Sequence, residues 1–202
     1  MHDVNRIFWL RCKLKYPRFF KDPSKVIEFG SIDINGSVRE FFEAKEYIGV
    51  DWRGGKGVDL ISIAHEVDFE SESFDTVVSA SMLEHDPHWK KSLCKMIELM
   101  KQDGVLFLSW GSALNTTHNI DVAPDGFFHA LKAGSVINYL EALGLHIHEF
   151  YYEARILREA HIALWGGSRG SGEVVLVAFK NTNIMGARSK SIIEELLDED
   201  KA

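Results

Sequence analysis

The stretch from Lys25 to Arg39 limits the fold more than any other part of the chain. Val26, Ile27 and Phe29 form a short β-prone run that stops at Gly30. After Gly36, the order Ser37-Val38-Arg39-Glu40 has capping-box spacing: the serine hydroxyl takes a backbone N–H three residues on, and the glutamate reaches back. That spacing predicts a helix from Ser37 through Phe41, Phe42 and Lys45. A strand that runs into a glycine loop and then a helix is where an open α/β sheet meets a nucleotide-like ligand.

The loop also restricts the kind of nucleotide. A dinucleotide fingerprint, G-x-G-x-x-G, needs its second glycine so that backbone can approach a pyrophosphate. Here that position is Ile32 and the third is Asn35. The carboxylate of Glu28 at the strand end repels a phosphate and favours a cation, so the pocket suits a positively charged nucleoside. Further on, Tyr47-Ile48-Gly49-Val50-Asp51 is a second apolar run ending in an acid, the position from which a carboxylate accepts ribose hydroxyls. The following Trp52-Arg53-Gly54-Gly55-Lys56-Gly57-Val58-Asp59 is glycine-rich but lacks the order of a P-loop.

With these residues in place the chain resembles the class I S-adenosylmethionine-dependent methyltransferases, of the methyltransferase type 11 kind. Glu28-Phe29-Gly30 is similar to the family's acidic-x-Gly motif, and Gly49-Val50-Asp51 to its second-strand acid. Phe74 to His85 is similar to its fourth strand and the turn after it, and Gly104 to Ser109 to its fifth strand. The resemblance covers roughly residues 25 to 180. It implies a Rossmann-like, doubly wound α/β sheet of about seven mainly parallel strands, with an antiparallel last strand and helices on both faces. It also implies S-adenosyl-L-methionine as cofactor: Gly30, Ser31 and Ile32 holding the methionine portion by backbone, Glu28 near its ammonium, and Asp51 on the ribose. Trp52, directly after that acid, is placed against the adenine or else is simply a core residue. In the third-strand exit the family's polar adenine contact falls on Ile63, which leaves that role to backbone at Ala64 and to His65. Ser81, with Met82, lines the methionine half. Glu84-His85 resembles a pair that in the family is as often structural as catalytic; His85 is a candidate catalytic residue whose other reading is a helix-entry hydrogen bond.

Patterning predicts the remaining elements. Val4, Ile7, Phe8, Arg11 and Leu14 fall at helical spacing after Asp3 and before Pro17. Val58 to His65 reads as a third strand and its exit, and Phe74 to Ala80 as a central strand buried on both faces. Asp86 and Pro87 read as the cap and first residue of a helix carrying Trp89, Leu93, Met96, Ile97 and Met100 on one face, with Gly104 beyond its end. A helix follows over Val136 to Leu143, then a strand from Leu145 to Tyr151 with His146 and His148 on an exposed face. Arg155 to Trp165 has a helical pattern, Gly166 to Gly172 is a polar loop, and Glu173 to Lys180 is the last strand.

Composition sets the outer limits. A chain of 202 residues with 46% hydrophobic residues has room for one ordinary core. A formal charge of -7 argues against coating bulk nucleic acid. Cys12 and Cys94 lie far apart, which fits a reducing compartment, and no apolar run approaches the ~18 residues of a membrane span. The expectation is a soluble, cytoplasmic protein. Nine histidines without clustered cysteines give little reason for a metal. The oligomeric state is not legible.

Three regions are expected. Residues 1–24 form a basic helical segment over the cleft, carrying Arg6, Arg11, Lys13, Lys15, Arg18 and Lys21. Read as a solvated face these cations are bland; read functionally they receive an anionic small-molecule acceptor. Residues 25–180 form the methyltransferase domain, and 181–202 an acidic tail or helix. The polar stretch Gly111 to Gly126, with Phe127, Phe128 and His129, is expected to wall the acceptor, with His129 a candidate general base or else a surface residue. The expected activity is methyl transfer to a small-molecule O or N acceptor. The competing class is a catalytically silent binding or scaffold protein on the same fold, and a dehydrogenase is disfavoured by Ile32 and Asn35.

Overall fold

The computed structural model describes residues 3–34, 36–111, 126–152 and 173–181. Seven strands form one sheet: β1 (Lys25–Phe29), β2 (Glu46–Asp51), β3 (Leu60–Ile61), β4 (Phe74–Ala80), β5 (Met100–Gly111), β6 (His146–Tyr152) and β7 (Glu173–Phe179). Their order is β3-β2-β1-β4-β5-β7-β6. β7 is antiparallel to both of its neighbours, while β1 to β5 pair in parallel, as expected. The chain leaves β1 toward one edge and resumes at β4 beside it, so the switch point of the sheet lies between the C-terminal ends of these two strands.

Strand alternation divides the core. Ile27, Phe29, Val77, Leu106, Leu108 and Leu176 face α2 (Trp89–Leu99) and α3 (Ala133–Ala142), which bury Leu93, Met96, Leu99, Val136 and Leu140 on them. Val26, Val78, Val105, Phe107, Val175 and Val177 face the other way, onto Phe8, Trp9 and Cys12 of α1 (Asp3–Lys15). Trp9 is fully buried and meets the Phe107 ring edge-on at 5.9 Å between centroids.

Several sequence expectations are corrected by tertiary contacts. The helix expected from Ser37 to Lys45 is a single 3-10 turn, Val38–Phe41. Ser37 Oγ accepts from Arg39, two residues on rather than three, and Glu40 pairs with Arg6 instead of reaching back. Phe42 is already extended, stacked on Phe20 at 4.3 Å, and Glu43 N–H donates to the Phe20 carbonyl at 2.6 Å. This pairing with residues 20–21 stretches the chain that would have coiled. The third strand shrinks to Leu60–Ile61 because Asp59 turns back on Gly49, exchanging backbone and side-chain hydrogen bonds with it at 2.8 and 2.7 Å.

At the helix after β4, Asp86 does not act as the immediate cap. Its carboxylate accepts from His88 N–H and Ser92 Oγ, and α2 begins at Trp89 with Pro87 still in the turn. Gly104 lies beyond the end of α2, as expected, with β5 already begun at Met100; a Cβ there would come within 2.8 Å of Met100 Cγ. His148 sits at a register shift between Ile147 and Glu149 and is half-buried rather than exposed, its ring edge-on to Phe179 at 5.6 Å and to Tyr16 at 5.9 Å. The predicted helix from Arg155 to Trp165, the loop at 166–172 and the acidic tail lie outside the described residues.

Candidate functional site

The C-terminal ends of β1, β2, β3 and β4 bring together most of the candidate residues. Gly30 takes φ +81°, and a Cβ on it would fall 2.6 Å from Met82 Cβ in the turn after β4. Only glycine lets these two strand exits close on each other. Gly30 and Ser31 N–H both donate to the Val50 carbonyl, at 2.9 and 3.1 Å, which ties the loop to β2. Gly49 sustains the same closeness from below: a Cβ there would meet the Gly57 carbonyl at 2.2 Å and Ser31 Oγ at 2.7 Å. Ser31 is buried, and its hydroxyl has no hydrogen-bond partner. Ile32 lies against Gly55, a Cβ on which would meet Ile32 Cδ1 at 2.7 Å.

Both strand-end acids are buried. Asp51 Oδ2 accepts from Ile32 N–H at 3.2 Å and Oδ1 from Arg53 N–H at 3.3 Å; burial raises its pKa above the ordinary aspartate range. Each carboxylate oxygen has a second lone pair for a further donor. Glu28 is 3% exposed, and burial pushes its carboxyl up to about 7 against the opposing pull of the Tyr47 hydroxyl, which donates to Oε2 at 2.7 Å, and of the Arg39 charge. Arg39 in turn lies over the Tyr47 ring, donates to the Tyr47 carbonyl at 2.7 Å and pairs with Asp59 at 3.0 Å. Tyr47 and Arg39 were not singled out from the sequence. Alternation along β2 places Tyr47 on the same face as Asp51, the one signal that points to it.

Around these acids, Trp52 is 38% exposed at the mouth, with Arg53 near its ring. The β3 exit is held by Ser62 N–H on the Asp51 carbonyl at 2.9 Å and continues into a 3-10 turn, Ala64–Glu66. Within it, His65 packs edge-on against His88 at 5.2 Å, its Nδ1 buried without a partner. Ser81, exposed just past β4, has φ +54°, a conformation that costs a non-glycine residue energy and recurs where a backbone is held for a purpose. Its N–H donates to the Ser109 carbonyl at 2.8 Å.

On the β5 side, the turn Leu83–His85 carries the Glu84-His85 pair. His85 Nδ1 lies 3.2 Å from the Phe127 carbonyl, so this nitrogen carries the proton and Nε2 is the basic one. Burial lowers the pKa of His85, and its ring meets Phe128 at 5.5 Å. His129 is exposed, and its N–H donates to the Glu84 carbonyl at 2.7 Å. The two candidate histidines are thus brought together through Glu84. Of the expected acceptor wall, residues 112–125 lie outside the described residues.

The basic residues of the N-terminal segment meet acids of the same chain: Arg6 with Glu40, Lys13 with Glu43, Arg11 and Lys15 with Glu149, and Arg18 with Asp103. A groove of about 590 Å³ lined by Asp33, Ser37, Arg39, Glu40 and Lys56 opens beside the strand-end mouth, and its cations too are engaged, by Asp59 and Asp33. Among the described residues no group of three or more His, Cys, Asp or Glu side chains can hold a metal, and no helix is long and apolar enough to cross a membrane.

The geometry agrees with what comparison finds. The family model described as a methyltransferase domain matches residues 31–108. A putative S-adenosylmethionine-dependent methyltransferase from Listeria monocytogenes superposes with TM-score 0.61 at 14% identity, covering 86% of this chain and 96% of that one. Residues 31–108 thus match a methyltransferase domain, and the chain shares the fold of S-adenosylmethionine-dependent methyltransferases. Two further members of this fold are similar. A putative methyltransferase from Bacillus halodurans has TM-score 0.59 at 15% identity, covering 85% of this chain and 98% of the other. A 1,6-didemethyltoxoflavin-N1-methyltransferase from Burkholderia thailandensis, solved with 1,6-didemethyltoxoflavin and S-adenosylhomocysteine, has TM-score 0.61 at 13% identity, covering 87% and 77%. No curated protein sequence matches the chain.

As a methyltransferase fold the chain is pared down. Among the described residues, neither the β1-to-β2 nor the β2-to-β3 connection contains an α-helix. An anion-binding helix N-terminus is therefore missing at the glycine loop, and the site offers buried carboxylates instead. The residues present fit a cationic nucleoside: a glycine cradle at Gly30, two buried acids at Glu28 and Asp51, and unpartnered polar atoms on Ser31 and His65.

Proposed function

We propose that the chain binds S-adenosylmethionine at the mouth formed by β1, β2 and β4 and transfers its methyl group to a small-molecule O or N acceptor. The observation that carries this reading is the pair of buried acids on adjoining strands, Glu28 and Asp51, beside a glycine turn that has no phosphate-binding helix behind it. Asp51 would accept the ribose hydroxyls, and the backbone of Gly30 to Ile32 would hold the methionine portion with Glu28 near its ammonium. Trp52, Ala64, His65 and Ser81 would line the remainder. The cofactor supplies a methyl group already activated by its sulfonium, so the protein's task is alignment of the acceptor and exclusion of water.

On the acceptor side, the neutral His85 would take a proton at Nε2, its ring held by the Phe127 carbonyl. Exposed His129 is the second candidate base. The Burkholderia neighbour, solved with 1,6-didemethyltoxoflavin, supports a small-molecule acceptor. The cations Arg6, Arg11, Lys13, Lys15 and Arg18 meet acids of the same chain, which weakens the case for an anionic acceptor.

A silent scaffold is the second reading, favoured by Ile63 in the adenine-contact slot, whose carbonyl already accepts from Glu66 and Ser62. Titration calorimetry with S-adenosylmethionine and S-adenosylhomocysteine separates the two. Asp51→Ala is expected to weaken binding at least about tenfold, close to the worth of one charge-assisted hydrogen bond. Absence of binding to the unmodified chain sinks the transfer reading, and unchanged affinity in Asp51→Ala removes the ribose role.

A further inference from the structure

Glu84 is the most buried acid beside the cleft and the one with least to satisfy it. It is 1% exposed, and Oε1 accepts from Gly111 N–H at 2.8 Å, while Oε2 is buried without a hydrogen-bond partner. Its main chain is also engaged, since its carbonyl accepts from His129 N–H at 2.7 Å. The next residue, His85, holds the Phe127 carbonyl through Nδ1. One dipeptide therefore fastens the exit of β4 to the last residue of β5 and to residues 127–129, at three points.

We propose that Glu84 is a positioning residue: its carboxyl, braced on Gly111, holds the turn in which His85 and the 127–129 segment are set relative to each other on the acceptor side of the mouth. A carboxyl is suited to this because it reaches across to β5 from a 3-10 turn too short to be fixed by its own hydrogen bonds. A purely apolar side chain there would leave Gly111 N–H without an acceptor in the core. The second oxygen, lacking a donor, is where a proton resides when the group is neutral. Burial, opposed by the N–H groups of Gly111 and of Glu84 itself, pushes this carboxyl up to about 7. Among the described residues the titratable group next to it is His85 on its own turn; β5 presents a backbone donor, and residues 127–129 present the His129 N–H.

The geometry stands without the cofactor, but the purpose assigned to it rests on the methyl-transfer reading. The test is ¹⁵N-histidine NMR across pH 5–9 on the full chain, on Glu84→Gln and on Glu84→Ala, with S-adenosylhomocysteine calorimetry run separately. In the unmodified chain His85 should be the Nδ1–H tautomer, and its shifts should carry a second inflection as Glu84 titrates near pH 7. Glu84→Gln keeps an oxygen for Gly111 and should keep the tautomer while losing that inflection. Glu84→Ala should lose the tautomer preference, with cofactor affinity within about twofold. The proposal is overturned if His85 is unchanged in folded Glu84→Ala, or if Glu84→Gln loses the tautomer as fully as the alanine. Should Glu84→Ala not fold, an inflection that survives in Glu84→Gln overturns it. Failure of the transfer reading shows only in the calorimetry of the unmodified chain.

Discussion

Replacing Glu28 by glutamine should make the protein more stable at alkaline pH and poorer at holding the proposed cofactor. Glu28 is buried, and its carboxyl sits at about 7 in the folded chain against 4.5 for an ordinary glutamate. Below pH ~4.5 the group is protonated in both folded and unfolded chains and contributes nothing. Between ~4.5 and ~7 the unfolded chain releases its proton while the folded chain keeps it, so stability falls as pH rises and stays lower above that window. At ~1.4 kcal/mol per unit, the gap of about 2.5 units corresponds to about 3 kcal/mol. Glutamine never ionises and can still accept the Tyr47 hydroxyl bond. Urea denaturation at several pH values should therefore show the two proteins close together near pH 4.5 and Glu28→Gln ahead by about 3 kcal/mol at pH 8. Glu84, which also titrates near 7, is present in both proteins and cancels in the difference. Affinity for S-adenosylmethionine at pH 8 should drop about tenfold or more, the stability gain being exchanged for binding. A stability difference that does not vary with pH would refute the linkage, and a gain in stability with unchanged affinity would leave Glu28 a core residue only.

Two other perturbations test the frame around the site. Gly30→Ala puts a side chain at φ +81° and 2.6 Å from Met82 Cβ, so thermal unfolding should show a loss of about 2 kcal/mol or more, together with loss of cofactor binding; a near-neutral effect would mean the β1 and β4 exits are not locked together. Trp9→Ala removes the fully buried ring by which α1 covers the sheet and should cost about 3–5 kcal/mol by chemical denaturation, whereas a loss below 1 kcal/mol would show that α1 is not part of the core.

The parts legible in the sequence are those decided by neighbours along the chain. β1, β4 and β7 announce themselves as short β-prone runs, and Glu28 and Asp51 stand at strand ends where a glycine or turn follows. What stayed hidden depends on residues distant in the chain. The capping signature at Ser37 is real chemistry, but Phe20 and Arg6 take Phe42 and Glu40 for themselves, and a helix loses to an extended segment. Asp59 ends β3 early by folding onto Gly49. Tyr47 becomes part of the site only once β1 and β2 lie side by side, and Glu84 only when β5 brings Gly111 to its carboxyl from 27 positions away. The positive φ of Ser81 leaves no trace in composition, because serine carries no preference for that region.

The glycine loop after β1 and the glycine turn after β2 are joined as one piece: Asp33 N–H meets the Lys56 carbonyl at 2.8 Å, their side chains pair at 2.6 Å, and Gly49 and Gly57 allow backbones to touch. In most sheets of this kind each crossover helix holds its own loop; here the two loops brace each other in place of helices. A molecule arriving at the mouth meets a surface already cast, with little loop entropy left to surrender on capture. The economy has a mechanical cost: a substitution in either loop is felt in both, so the contacts proposed for the methionine and ribose portions cannot be tuned separately.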